Sequence, residues 1–67
     1  MNREQEERQL KNLNNGFWWS KGQLHDISTI SNYHINCIIN YAGRYFSKYT
    51  AKEIEIFFNK ELKRRVV

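Results

Sequence analysis

Ile38, Ile39, Ala42, Phe46 and Tyr49 stand 3, 4, 7, 11 and 14 residues beyond Ile35. At about 100° per residue this spacing gathers all six side chains into one narrow arc, so the chain from near Ser31 onward reads as an amphipathic helix facing a core. His34, Tyr41 and Tyr45 widen one flank of the arc, while Asn36, Asn40 and Arg44 lie on the far side. Gly43, inside this stretch, disfavours helix by up to about 1 kcal/mol relative to Ala, and marks either the close approach of another element or an early helix end. Thr50 followed three residues later by Glu53 is a capping-box pattern that opens a second helix, with Ile54, Phe57, Phe58 and Leu62 on its apolar side. Glu53 and Glu55 lie near its positive end, and Lys60, Lys63, Arg64 and Arg65 near its negative end, in the order the helix dipole favours.

Upstream, residues 3–12 read as a polar helical lead. Glu4 with Arg8 and Glu7 with Lys11 are acid-first pairs four apart, and only Leu10 and Leu13 are apolar. Asn14, Asn15 and Gly16 tolerate a left-handed backbone and end that helix. Residues 17–19 and 23–27 form two short strands around Ser20, Lys21 and Gly22, with Gly22 able to take the positive φ of a tight turn. A lone two-stranded hairpin is not stable in water, so helices must cover it. The expected fold is therefore a small α+β domain with an N-terminal polar helix, a β-hairpin and two amphipathic helices. Residues 1–15 are expected to be a polar helical extension. Residues 16–67 are expected to be a single domain built around Ile35, Ile38, Ile39, Phe46, Ile54, Phe57 and Phe58.

A chain of 67 residues leaves little room for both a scaffold and a substrate cleft. At this size only about 60% of the unfolded surface is buried, so a staple, a partner or dense packing is needed. The single cysteine, Cys37, cannot pair within the chain, and no apolar run approaches the length of a membrane span. The polar start MNREQEERQL has neither a signal-peptide nor a myristoylation pattern, which together with the cysteine count leads to an expected reducing, cytosolic setting. Lys plus Arg at 11 against Asp plus Glu at 7 gives a net charge of +4 and favours an acidic partner, whether protein or nucleic acid. Aromatic residues make up 15% of the chain, a heavy load for so small a core that points to homo-oligomerisation or a recognition face.

Candidate chemistry is sparse. With Ser31 as N-cap, His34 falls at the third helical position, where its imidazole can interact with the cap and orient the segment carrying Ile27 and Ile30. His25, Asp26, His34 and Cys37 offer ligand types for a metal, but without a Cys-x-x-Cys or His-x-x-x-His pair, and no metal or cofactor is expected. Cys37 reads as a small, partly buried helix residue. No recognisable catalytic constellation is present, so an enzyme is not expected.

The spacing of Gly22, Ile27, Ile30, His34, Ile35 and Ile39 resembles a pattern in many small bacteriophage- and prophage-encoded proteins of uncharacterised function. Their usual form is a tryptophan, a Lys-Asp-Gly turn, Ile-x-x-Met, and then His-Leu-x-Asn-x-Ile opening a helix. Here Phe17 stands at the tryptophan position with Trp18 beside it, Lys21 and Gly22 cover the turn without the Asp, Ile30 replaces Met, and Cys37 occupies the Asn position next to Asn36. The likeness covers residues 17–46. It implies a phage origin, a hairpin-then-helix fold and a place in the cytoplasm of the infected bacterial host. It implies no activity.

Adjacent strand residues point to opposite faces, so Phe17 and Trp19 share one face and Trp18 takes the other. Because Phe17 stands at the core-like position of the resembled pattern, Trp18 is assigned outward as a partner-binding anchor, the alternative being Trp18 covered by the N-terminal helix or a second subunit. Ile56 lies opposite Ile54 and Phe58 on the last helix, and is either an isolated exposed apolar residue or part of an interface. Phages commonly use small basic proteins to disable host machinery. The first functional expectation is thus a non-catalytic inhibitor that contacts a bacterial host or anti-phage defence protein through Trp18, Ile56, Lys60, Lys63, Arg64 and Arg65. The alternative is a nucleic-acid-binding accessory protein in which Lys63, Arg64 and Arg65 neutralise phosphates and exposed aromatics stack on bases.

Overall fold

A computed structural model describes residues 2–66 and shows a small α+β domain of three helices and one antiparallel hairpin. Helix α1 spans Arg3–Asn14, strands β1 and β2 span Phe17–Ser20 and Gln23–Asp26, and a short 3-10 turn covers Ile27–Thr29. Helix α2 spans Asn32–Tyr45 and helix α3 spans Lys48–Arg65.

Local chemistry sets most of these boundaries. Asn2 caps α1 by accepting from the Gln5 N–H at 2.8 Å, with the Gln5 side chain returning to the Asn2 backbone. Gly16 ends the helix region with φ +93°, the left-handed conformation expected of it. Lys21 and Gly22 both have positive φ, 51° and 76°, as a two-residue turn matched to strand twist requires. Ser31 caps α2 by accepting from the His34 N–H at 3.1 Å.

The start of α3 differs from expectation. Its cap is Ser47, three residues before Thr50, and the Ser47 side chain accepts from the Thr50 N–H. Thr50 is buried at the third position of the helix, so the Thr50 and Glu53 capping box does not form, and Glu53 is exposed. The reason lies outside the local sequence: the Glu6 carboxylate of α1 accepts from the Ser47 N–H at 3.0 Å and from the Ser47 and Thr50 hydroxyls at 2.7 Å each. A carboxylate at the positive end of α3 draws the helix start back to the residues that can donate to it. Helix α2 accordingly ends at Tyr45, Phe46 is extended, and Tyr49, expected on the α2 core arc, sits on α3 and is exposed. At Gly43, two residues before that end, an added Cβ would meet no other atom, so no close approach explains the glycine.

The core joins Leu13, Trp18, Ile27, Ile30, Ile35 and Ile38 to Ala42, Phe46, Ile54 and Phe58. Ile39 and Phe57 pack against it only half-buried. Helix α1 belongs to this unit and is not an extension of it: Leu13 is 1% exposed, Glu6 reaches α3 and Gln9 reaches β1. The Gln9 amide accepts from the Trp19 N–H at 3.0 Å and donates to the Trp19 carbonyl at 2.9 Å. In this register Trp19 pairs with Leu24 one step from the turn, a position whose main-chain groups point away from the partner strand. Gln9 thus acts as the missing neighbour strand and closes that edge.

Burial reverses the assignment of the tryptophans. Trp18 is 3% exposed, with its ring 6.5 Å from Phe46 and 5.8 Å from Phe58, so it is not an outward anchor. Phe17 at 39%, Trp19 at 48% and Leu24 at 51% form the outer face instead. Either parity of Phe-Trp-Trp puts an aromatic inward, so alternation alone does not choose between them. Ile27 and Ile30, just past the hairpin, already supply the core from this side. The hairpin itself adds a single large ring, wedged between the end of α2 and the middle of α3.

Candidate protein-binding groove

An open groove of about 830 Å³ lies between α1, the hairpin and α2. Trp18, Ile38 and Phe46 form its floor, with only their edges reaching the surface. On one side α1 supplies Gln5, Arg8, Gln9 and Asn12, which are successive residues on one helix face. Trp19, Ser20, Lys21 and Leu24 enter from the hairpin, and His34, Cys37 and Tyr41 from α2. Tyr41 is 46% exposed and is positioned by ring contacts to Tyr45 at 4.7 Å and to Phe46 at 6.1 Å. Trp19 is held by the two main-chain bonds from Gln9, so an aromatic with about half its surface in solvent sits on a fixed backbone.

The groove's charge is one-sided. Arg8 and Lys21 line it, and among the described residues no Asp or Glu does. Neither cation forms an ion pair among the described residues, in contrast to Arg3, which pairs with Glu7 at 3.2 Å.

The residues singled out from sequence separate in space. Trp18 reaches the groove from beneath, whereas Ile56, Lys60, Lys63, Arg64 and Arg65 lie on α3 and do not line it. Ile56 is 41% exposed, and Lys60 and Lys63 are exposed. Arg65 is not a free contact residue. Its guanidinium donates to the Ile27 carbonyl at 2.8 Å, the Ile30 carbonyl at 2.6 Å, Asn32 Oδ1 at 2.8 Å and Glu61 at 2.9 Å. Arg64 also donates to Glu61, at 2.8 Å, and the two arginines hold the Glu61 carboxyl below its usual range. Arg65 therefore takes the part expected of His34, fastening the segment with Ile27 and Ile30 to the rest of the fold. The His34 ring makes no hydrogen bond among the described residues. Cys37 is exposed on the groove wall and not partly buried. No three His, Cys, Asp or Glu side chains gather into a metal-binding group among the described residues.

Replacing Arg65 by Ala is expected to lower unfolding stability by about 1–3 kcal/mol, since two main-chain carbonyls lose a charged donor. Lys at this position should recover only part of that, because an ammonium lacks the planar fork that spans Ile27 and Ile30. Arg64→Ala should leave the midpoint close to that of the parent, as expected of an exposed pair. Urea midpoints for the three variants check this ordering, and an unchanged midpoint for Arg65→Ala would contradict it.

The roles of Glu6, Gln9 and Trp19 were not assigned from sequence. The first two share a helical face with Leu10 and Leu13, at offsets of 3, 4 and 7 from Glu6, a stripe that marks them for burial, but nothing local identifies their partners, which are 41, 44 and 10 residues away. No protein-family model, curated protein or solved structure matches the chain. Among the described residues no helix is long and apolar enough to cross a membrane.

Proposed function

We propose that this chain is a non-catalytic binding protein that holds a partner protein in the groove between α1, the hairpin and α2, and that it is a phage-encoded inhibitor of a bacterial host or anti-phage defence protein. The observation that carries the binding reading is the half-exposed set of Trp19, Leu24 and Tyr41 around an apolar floor. Contiguous apolar surface of this kind on a small domain marks an interaction site, and Trp and Tyr are the residues that most often carry interface energy. The anchor role first assigned to Trp18 passes to Trp19, its neighbour on the other face. The phage setting, and with it the cytoplasm of the infected cell, is supported by the sequence likeness over residues 17–46 alone.

The nucleic-acid alternative loses support at the C-terminus. Arg64 and Arg65, two of the three residues it needs, are engaged by Glu61 and by main-chain carbonyls.

The test is capture from bacterial lysate with the tagged, full-length protein, nuclease-treated and at moderate salt. One near-stoichiometric protein should be retained. Trp19→Ala and Tyr41→Ala should each weaken its binding by about 30-fold, the loss of a contact carrying ~2 kcal/mol, while Ile56→Ala should not. Capture that disappears with nuclease, or that survives both aromatic substitutions, would overturn the reading. Both side chains are about half in solvent, so the variants should keep the wild-type circular dichroism spectrum.

A further inference from the structure

We infer that the groove receives an acidic segment of the partner protein, with an apolar side chain seated on Trp18, Ile38 and Phe46 and flanking carboxylates met by Arg8 and Lys21. This inference rests on the binding reading above and adds the chemistry of the occupant. Three features converge on it. The two cations come from different walls, Arg8 from α1 and Lys21 from the hairpin turn, and both line the groove that the apolar floor underlies. Among the described residues neither is neutralised within the fold, and none lines the groove with a carboxylate that would compete for them. The floor is apolar, and its buried rings are fixed by aromatic contacts, so it is a preformed seat.

A phosphate backbone fits this arrangement less well. Nucleic-acid binding draws its strength from several successive phosphate neutralisations, and the arginines of α3 that might extend a basic path are held by Glu61 and the Ile27 and Ile30 carbonyls. A carboxylate-bearing peptide needs only a guanidinium, an ammonium and an apolar seat.

The experiment titrates the full-length protein with three probes. These are a tryptophan-free synthetic peptide rich in Leu, Glu and Asp, the same peptide with Gln and Asn in place of Glu and Asp, and an oligothymidylate. Binding is followed by tryptophan fluorescence and by amide and indole shifts in two-dimensional NMR. The acidic peptide should shift the Trp19, Lys21 and Tyr41 signals and bind at least about tenfold more tightly than its amide counterpart. The Arg8→Glu, Lys21→Glu double variant should abolish that preference while leaving the circular dichroism spectrum unchanged, since both side chains are exposed.

Equal binding of the two peptides, or no shift with either, would overturn the inference. So would tighter binding of the oligothymidylate at the same residues, or shifts that depend on protein concentration alone, which would identify a second copy as the occupant. Failure here is distinguishable from failure of the binding reading. If lysate capture still depends on Trp19 and Tyr41 while the acidic peptide shows no preference, the groove binds protein but does not select acidic chemistry. If capture is indifferent to both aromatics, the binding reading itself falls.

Discussion

Trp18→Ala is expected to lose much of the chain's folding stability at 25 °C, whereas Trp19→Ala should fold as the parent does. Removing a buried tryptophan typically costs about 3–5 kcal/mol, the sum of lost transfer energy and an incompletely collapsed cavity. A domain of this length has on the order of 3–10 kcal/mol of stability in total, so most of the margin disappears with one ring. Trp18 joins the end of α2 to the middle of α3 through Phe46 and Phe58, and no other hairpin side chain reaches that position. Trp19 is 48% exposed and fastened by its main chain, and Gln9 bonds to backbone atoms that alanine retains. Guanidinium denaturation of the two variants, followed by circular dichroism, reads the contrast directly. A Trp18→Ala protein as stable as the parent would contradict the burial of this ring.

The second large effect is expected at Glu6. The residue is 7% exposed, and its carboxylate accepts from one N–H and two hydroxyls at the start of α3. Glu6→Ala leaves the buried Thr50 hydroxyl and the Ser47 hydroxyl and N–H without their acceptor and should destabilise the fold by about 2–4 kcal/mol. Glu6→Gln keeps one acceptor oxygen but places an amide N–H₂ against groups that themselves donate, so it should fall between the alanine variant and the parent.

The same site makes stability depend on pH. The Thr50 hydroxyl, then the Ser47 hydroxyl and N–H, hold the Glu6 carboxyl below its ordinary value of 4.5. A depressed folded value means that the unfolded chain binds the proton more readily. The stabilisation is therefore complete above the ordinary carboxylate range and is lost as pH falls through the lowered folded value. Asp26, held low by the Ser28 hydroxyl and N–H, and Glu61, held low by Arg64 and Arg65, act in the same direction. The parent should lose stability progressively on acidification below about pH 4.5. Glu6→Gln, already weaker at neutral pH, should show a shallower acid slope that retains only the share of the other two carboxylates. Urea midpoints from neutral pH downward provide the check, and parallel slopes for the two proteins would remove Glu6 from the account.

The elements themselves were largely legible in the residues. Gly16 and Gly22 take the positive φ their positions required, Ser31 caps α2 as its spacing to His34 indicated, and Ile35, Ile38, Ala42 and Phe46 line the core as their periodicity demanded. These features obey short-range rules, in which a turn, a cap or a helical face is set within a few neighbouring residues. The α3 boundary obeyed no such rule. Ser47 and Thr50 are both competent caps, and the choice between them was made by Glu6, more than forty residues earlier in the chain.

The groove was less legible still. Phe17, Trp18 and Trp19 present aromatics to both faces of β1, so no pattern within the strand identifies the one that enters the core. Arg8 was read as a helix-surface partner of Glu4 and Lys21 as a turn residue, neither as a contact cation, while the conspicuous basic run ending at Arg65 was read as a contact surface and is in part a clamp. Charge seen in one dimension does not distinguish a side chain facing solvent from one bridging two elements.

The sequence by itself determined the helices, the turn, the positive charge and the surplus of aromatics, because each follows from composition or from interactions between near neighbours. Only the tertiary structure decided which tryptophan is core, which glutamate caps a distant helix and which cations stay unpaired. Those outcomes depend on how α1 docks against β1 and α3, a set of contacts between residues far apart in the chain, whose energies are comparable with those of the alternatives they displace.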